Sequence, residues 1–324
     1  MEVYRGDDFQ VERKADFSPL TLADRRAHAV IDSGLVALDN VPVLSEEGRD
    51  IPWPERKHWD ELWLVDPLDG TKEFIKQNGE FTVNIALVQK GEPVLGVIVA
   101  PARGVAYVGM VDVGAGAAGA GTATGGAAGN SPGVARSRGE DASHTANRGP
   151  AEQPPGVASS HDAGTIRPSG ASFPGPGAVR FVLDDEERSE PTQPNSGVTL
   201  DESELTALAQ PIRSAAPQDG HISIIASRSH MGPRTRSFIR AIGADYDEVK
   251  LVHIGSSLKL CLLAEGSANI YPRNAPTMEW DTAAGHAILR AAGGEIWQAT
   301  SSLRRPVSRR STTGCATPSS PFRY

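Results

Sequence analysis

Asp66-Pro67-Leu68-Asp69-Gly70-Thr71 sets two carboxylates three residues apart, followed by a glycine and a hydroxyl. Carboxylates held that close repel each other unless one is protonated or a cation bridges them. Hard cations such as Mg²⁺ take carboxylate, main-chain carbonyl and phosphate oxygens as ligands. Asp66, the Leu68 carbonyl and Asp69 could supply three of these from one turn. A helix starting behind Gly70 would aim its free N–H groups at a phosphate. Taken alone, the same residues also read as a solvated acidic turn with a helix cap. Three further acids extend the set: Glu46 at the end of Val43-Leu44-Ser45, Asp281 in Trp280-Asp281-Thr282, and Asp24 three residues after Thr21. Each has a plain alternative, surface charge for Glu46 and helix capping for Asp24 and Asp281.

The elements that must position these acids are legible in outline. Leu62–Val65 is a compact apolar run and reads as a buried strand. Pro67 biases Asp66 toward extended backbone, so the first carboxylate is expected at the strand end. A helix is expected over Thr71–Gln77, and another from a Thr21 cap to about Leu38. Val41–Glu47 reads as a short strand and Gly48–Glu61 as a linker. Phe81–Gln89 and Val94–Ala100 form an expected hairpin, with Ala106–Val113 a third strand. Further on, helices are expected over Asp201–Ala209, Pro233–Ile242, Leu258–Glu265 and Trp280–Ala292, and strands over Ile222–Ser227, Val249–Ile254 and Ala268–Tyr271.

The 324 residues therefore divide into an N-terminal α+β half (1–113), a Gly-, Ala-, Pro- and Ser-rich insertion (114–200), a C-terminal α/β half (201–297) and a basic tail (298–324). Insertion and tail hold too few large apolar residues to offset ordering entropy and read as disordered, with Phe181–Leu183 a brief strand inside the insertion. A net charge of −8 argues against non-specific nucleic-acid binding. Cys261 and Cys315, the only cysteines, do not make a disulfide framework. No charged-then-apolar leader opens the chain, and no apolar run approaches the roughly 20 residues of a membrane span, so a cytoplasmic protein without stable membrane insertion is expected.

Ser18–Asp24, Val43–Glu47, Trp63–Phe74 and Trp280–Gly285 closely resemble the inositol monophosphatase superfamily. Asp69–Ile75, Asn78–Ala86, Gly255–Lys259 and Tyr271–Arg273 are most similar to its 3'(2'),5'-bisphosphate nucleotidase branch, the CysQ type. The match covers about half of the chain, Lys14–Pro101 and Ile222–Gly294. The resemblance implies a layered α-β-α-β-α sandwich of the inositol monophosphatase and fructose-1,6-bisphosphatase (sugar phosphatase) type. It implies two or three Mg²⁺ ions held by Glu46, Asp66, Leu68, Asp69 and Asp281, with Asp24, Thr71 and Glu46 activating water for in-line attack on phosphorus. Leu68, Asp69, Gly70, Thr71, Asp281, Ser256, Lys259 and Arg273 would contact the substrate. For His230 a nucleotide contact and an ordinary histidine stay open.

The implied reaction is hydrolysis of the 3'-phosphate of adenosine 3',5'-bisphosphate to AMP and phosphate, or of its sulfated form. The alternatives are an inositol monophosphatase or sugar-bisphosphate phosphatase of the same superfamily, and a non-catalytic binder of phosphorylated nucleotides. The expected partner is thus a small phosphorylated nucleotide rather than a nucleic acid, and the sequence leaves the oligomeric state open. Three departures from the family pattern stand out: no long opening helix, the 114–200 insertion, and an unrecognisable segment after Gly293-Gly294.

Overall fold

The first long helix begins where the sequence places it. In the computed structural model Thr21 caps α2 (Leu22–Leu38), and Asp24 returns a hydrogen bond to the cap, closing a capping box. The structure describes residues 1–6, 9, 11–13, 19–112, 176–183, 202–226, 231–274 and 276–297. These belong to the unit formed by Met1–Gly114 and Ser172–Tyr324. His230, most of the 114–200 stretch and the 298–324 tail lie outside the described residues.

Ahead of α2 come α1 (Glu2–Arg5) and the antiparallel pair β1 (Glu12–Arg13) and β2 (Pro19–Leu20). The chain continues through β3 (Val43–Ser45), α3 (Trp53–Arg56), β4 (Glu61–Asp69), α4 (Thr71–Ile75), β5 (Thr82–Gln89), β6 (Glu92–Ala100) and β7 (Val105–Met110). After them follow β8 (Gly177–Val182), α5 (Glu202–Leu208), β9 (Gln210–Pro211), β10 (His221–Ile225), α6 (Pro233–Gly243), β11 (Glu248–Val252), α7 (Leu258–Ala264) and α8 (Glu279–Ala291). The main sheet has the order β3-β4-β5-β6-β7-β8-β9. β3 runs parallel to β4, and the other neighbours are antiparallel.

Side-chain alternation then builds the layers. Ala86 and Val88 of β5 face Ala283, Ala284 and Ile288 of α8, while Ile85 and Leu87 join Trp63 and Val65 under Leu35 of α2. Leu205 and Leu208 of α5 cover Val108, Val179 and Phe181 on that second face. Beyond α7 and α8 lies the parallel pair β10–β11, which sends Ile225 and Val252 toward them. Its far side packs Ile222 and Ile224 against Phe238, Ile239 and Ile242 of α6. The result is helix, sheet, helix, sheet, helix, the layered α/β sandwich that the sequence implies.

Close backbone approach fixes α8 on the sheet. A Cβ on Gly96 would stand 2.1 Å from the Ala284 carbonyl oxygen, and one on Gly109 2.4 Å from the Ile288 Cα. Only glycine on β6 and β7 lets the helix lie so close, and the first turn of that helix carries Asp281.

Several elements differ from expectation for identifiable reasons. β4 does not stop at Val65 but continues to Asp69. Asp66 pairs with Asn84 and Asp69 with Thr82, so a bulge absorbs the residue that Pro67 cannot pair. The Gly48–Glu61 linker contains α3, and α1 brings Tyr4 onto Phe74 and Phe81. The brief strand expected at Phe181–Leu183 is β8, which begins earlier, at Gly177, because it pairs along its whole length with β7. Of Ala268–Tyr271 only Ile270 pairs, as a single bridge to Ile224. Among the described residues no helix is long and apolar enough to cross a membrane.

Candidate active site

Four segments deliver the acids to one region. Parallel pairing of Ser45 with Val65 carries Glu46 alongside Asp66, and the Glu46 N–H donates to the Val65 carbonyl at 3.0 Å. The β4 bulge turns Asp66 back on its own backbone, where Oδ1 accepts from the Leu68 N–H at 3.0 Å. Gly70 takes φ +92°, a left-handed conformation that a side chain would strain, and so starts α4 directly behind Asp69. Asp281 occupies the first turn of α8, with Oδ2 accepting from Thr277 Oγ1 at 2.7 Å and from the Met278 N–H at 3.1 Å.

Asp24 serves two purposes with its two oxygens. Oδ2 accepts from the Thr21 N–H at 2.8 Å, the capping role that helix-start acids usually have. Oδ1 faces Thr71, whose Oγ1 stands 3.5 Å away and also 3.4 Å from the Leu68 carbonyl oxygen. Asp24 is 1% exposed, while Thr71 is half-buried and so meets the carboxylate at the edge of the core.

The electrostatics record the crowding of negative charge. Burial raises the Asp66 carboxyl well above its ordinary pKa, and the charges of Asp69, Glu46 and Asp281 push the same way. Burial also raises Asp69, against the opposing pull of Lys259. Among the described residues no three His, Cys, Asp or Glu side chains close into a ready-made metal cage. The donor set nevertheless fits a hard cation on two counts. Every candidate donor is oxygen, and each aspartate has one oxygen held by the chain: Asp66 by Leu68, Asp69 by Ser257 and Asp281 by Thr277. The second oxygen of each is left for a ligand, and a divalent ion would relieve the repulsion that now disfavours ionised Asp66.

The expected substrate cations border these acids. Lys259 lies largely buried, donates to the Ser256 carbonyl at 2.8 Å and stands 5.9 Å over the Tyr271 ring. Burial lowers its pKa while Asp69 opposes the shift. Arg273 Nη2 approaches Asp281 Oδ2 to 3.6 Å and donates to the Pro276 carbonyl. Ser256, between them, takes a left-handed φ of +46° and is 8% exposed. The structure therefore gathers Glu46, Asp66, Asp69, Asp281, Asp24, Thr71, Ser256, Lys259 and Arg273; His230 falls outside the described residues. Two cavities of about 370 and 400 Å³ lie elsewhere, beside His28 and Arg49 and beside Trp53 and Lys90.

The sequence reading missed the supports. Asn84 and Ser257 are buried and hydrogen-bonded into the acid cluster, and Thr277 holds Asp281. A signal for Asn84 existed: it is polar at a core-facing position of the alternating β5.

Comparison with known proteins identifies the family. Residues 1–171 and 190–320 match the profile of the inositol monophosphatase family. Over 303 residues the chain is 37% identical to the 3'(2'),5'-bisphosphate nucleotidase CysQ of Shigella flexneri, covering 92% of this chain and 85% of that one. The CysQ nucleotidase of Escherichia coli (strain K12) is 36% identical over the same length and shares of both chains. The crystal structure of CysQ from Bacteroides thetaiotaomicron superposes with a TM-score of 0.60 at 35% identity, covering 90% of this chain and 80% of that one. With a family profile matched over most of its length and relatives 35–37% identical, the chain belongs to the inositol monophosphatase family, and within it to the CysQ type.

Proposed function

We propose that this protein is a Mg²⁺-dependent phosphatase that cleaves the 3'-phosphate of adenosine 3',5'-bisphosphate, yielding AMP and inorganic phosphate. Membership of the family makes it a phosphatase of phosphorylated small molecules. The nucleotide assignment is supported by 36–37% identity over 303 residues to CysQ nucleotidases. The observation that carries the mechanism is the Thr71 hydroxyl held between Asp24 and the Leu68 carbonyl, beside the crowded acids.

Glu46, Asp66, the Leu68 carbonyl, Asp69 and Asp281 would hold the metal. Bound there, Mg²⁺ would neutralise phosphate oxygens, stabilise the leaving oxygen and lower the pKa of water. The chain's own residues supply the rest. Asp24 accepts a proton through Thr71, whose hydroxyl orients the attacking water. The attack forms one P–O bond and breaks the bond to the ribose 3'-oxygen, which leaves as the alcohol after taking a proton. Lys259 and Arg273 carry fixed positive charge for the nucleotide's second phosphate, Arg273 as a planar fork and Lys259 as a point charge. Ser256 borders the nucleotide, and a cytoplasmic location suits such a substrate.

Phosphate release from adenosine 3',5'-bisphosphate, inositol 1-phosphate and fructose 1,6-bisphosphate, each with Mg²⁺, with EDTA and with added Li⁺, tests the proposal. Metal-dependent, lithium-inhibited release favouring the nucleotide is expected. Preference for a sugar phosphate would overturn the substrate, and binding of nucleotide without release would overturn the reaction.

A further inference from the structure

The Ser257 hydroxyl touches three groups from three different elements. It lies 2.7 Å from Asp69 Oδ2 at the end of β4, 3.0 Å from the Asp281 carbonyl oxygen on α8, and 2.9 Å from Asn84 Nδ2 on β5. A hydroxyl has one hydrogen to give. The Asp281 carbonyl and the Asp69 carboxylate, as it would stand with a cation bound, only accept, so the third neighbour donates, which sets the Asn84 amide with its nitrogen toward Ser257. The hydrogen of Ser257 is then shared between Asp69 Oδ2 and the Asp281 carbonyl oxygen in a three-centre bond, with the carboxylate the nearer acceptor. This orientation has a cost: Asn84 Oδ1 is buried without a hydrogen-bond partner. Buried polar groups normally find partners, and one that does not calls for an explanation. Asn84 and Ser257 are 1% and 4% exposed, so solvent does not share in the relay.

We propose that Ser257, oriented by Asn84, is a positioning residue for the metal-binding carboxylates. It holds Oδ2 of Asp69, leaves Oδ1 for the cation, and ties the same point to the first turn of α8. Through that one hydroxyl the end of β4 and the start of α8 keep a fixed separation, so Asp69 and Asp281 would take up a cation without first rearranging. Partners one step behind metal ligands typically change affinity 10–100-fold when removed.

This inference rests on the proposed metal-dependent reading. Its test follows the Mg²⁺-induced rise in Tm alongside phosphate release from adenosine 3',5'-bisphosphate. Ser257→Ala is expected to raise the Mg²⁺ concentration at half-maximal effect about tenfold or more in both readouts. At saturating Mg²⁺ the KM for nucleotide should stay within about twofold, because the Ser257 hydroxyl bonds to Asp69, Asp281 and Asn84 and not to Lys259 or Arg273. Ser257→Thr, which keeps the hydroxyl, should restore Mg²⁺ affinity to within about threefold. Asn84→Ala leaves Ser257 in place and repeats the test if Ser257→Ala does not fold. An active Ser257→Ala variant with the wild-type Mg²⁺ titration would overturn the inference, as would a shifted titration that Ser257→Thr fails to rescue. A wild-type protein that shows the Ser257-dependent Tm shift but releases no phosphate would contradict the proposed function and support the positioning role.

Discussion

The two ends of α8 hold carboxylates under opposite conditions. At its start Asp281 joins Asp66, Asp69 and Glu46, and burial, reinforced by their mutual repulsion, holds the Asp66 carboxyl well above its usual pKa. Beyond its last turn Glu295 is also half-buried, and burial alone would raise it. Hydrogen bonds from His286 Nε2 at 2.6 Å and from the Ile296 N–H, with Arg290 nearby, bring it below the usual range instead. Glu92 completes that end through a 2.8 Å pair with Arg290. The same residue type thus stores unbalanced charge at one end and neutralises itself at the other. Unbalanced buried charge marks a place built for a ligand, and balanced charge marks a joint in the fold.

Neutralising one acid at the first end should break activity without breaking the fold. Asp69→Asn should lower phosphate release on the order of 10³-fold, while the Tm in EDTA stays level or rises because repulsion is relieved. Parallel assays and melts would show the split, and a large loss of metal-free stability would contradict the reading of stored charge. Next in size is Thr71→Val, which removes the hydroxyl facing Asp24 and should cost about 10²-fold in kcat with little change in KM. Replacing both Lys259 and Arg273 by Ala should lower kcat/KM for the bisphosphate nucleotide about 100-fold and largely spare inositol 1-phosphate. Equal losses on both substrates would move those cations from recognition to general support of the site.

At the other end the expected effects are smaller and fall on stability. Glu295→Gln should cost about 1 kcal/mol at neutral pH, since the carboxylate is partly exposed, and leave activity per folded molecule unchanged. The two ends should also respond to pH with opposite signs. In metal-free protein the raised Asp66 and Asp69 stabilise fully below their unfolded pKa, and that contribution is lost as pH rises through their folded values. The lowered Glu295 contributes above its unfolded pKa and loses that contribution as pH falls through its folded value. Thermal melts in EDTA across pH should therefore show Asp66→Asn flattening the decline on the alkaline side and Glu295→Gln flattening the one on the acid side.

Much of the first end could be read from the sequence because its chemistry is local. Thr21 and Asp24 form a capping box within one turn, and Asp66 to Thr71 lie on one bulge and one helix start. Local rules misled where tertiary pairing overrode them. Pro67 signals a strand end, yet the bulge carries β4 through to Asp69. The brief strand expected at Phe181–Leu183 exists but runs over Gly177–Val182, gaining its order from β7 alongside and α5 above. The Asn84–Ser257–Asp69 relay was illegible for a different reason. Its members are separated by 173 and 188 residues, and no local pattern links them. The charge balance that separates the two ends of α8 has the same origin, since Arg290 meets Glu92 across 198 residues.

The most direct test of the central claim is the fate of oxygen in turnover of adenosine 3',5'-bisphosphate in ¹⁸O-enriched water, followed by ³¹P NMR. Attack by water at the 3'-phosphorus predicts AMP that keeps its 5'-phosphate unlabelled and inorganic phosphate that carries the ¹⁸O. Adenosine 3'-phosphate as product, or label in the ribose hydroxyl, would contradict the account.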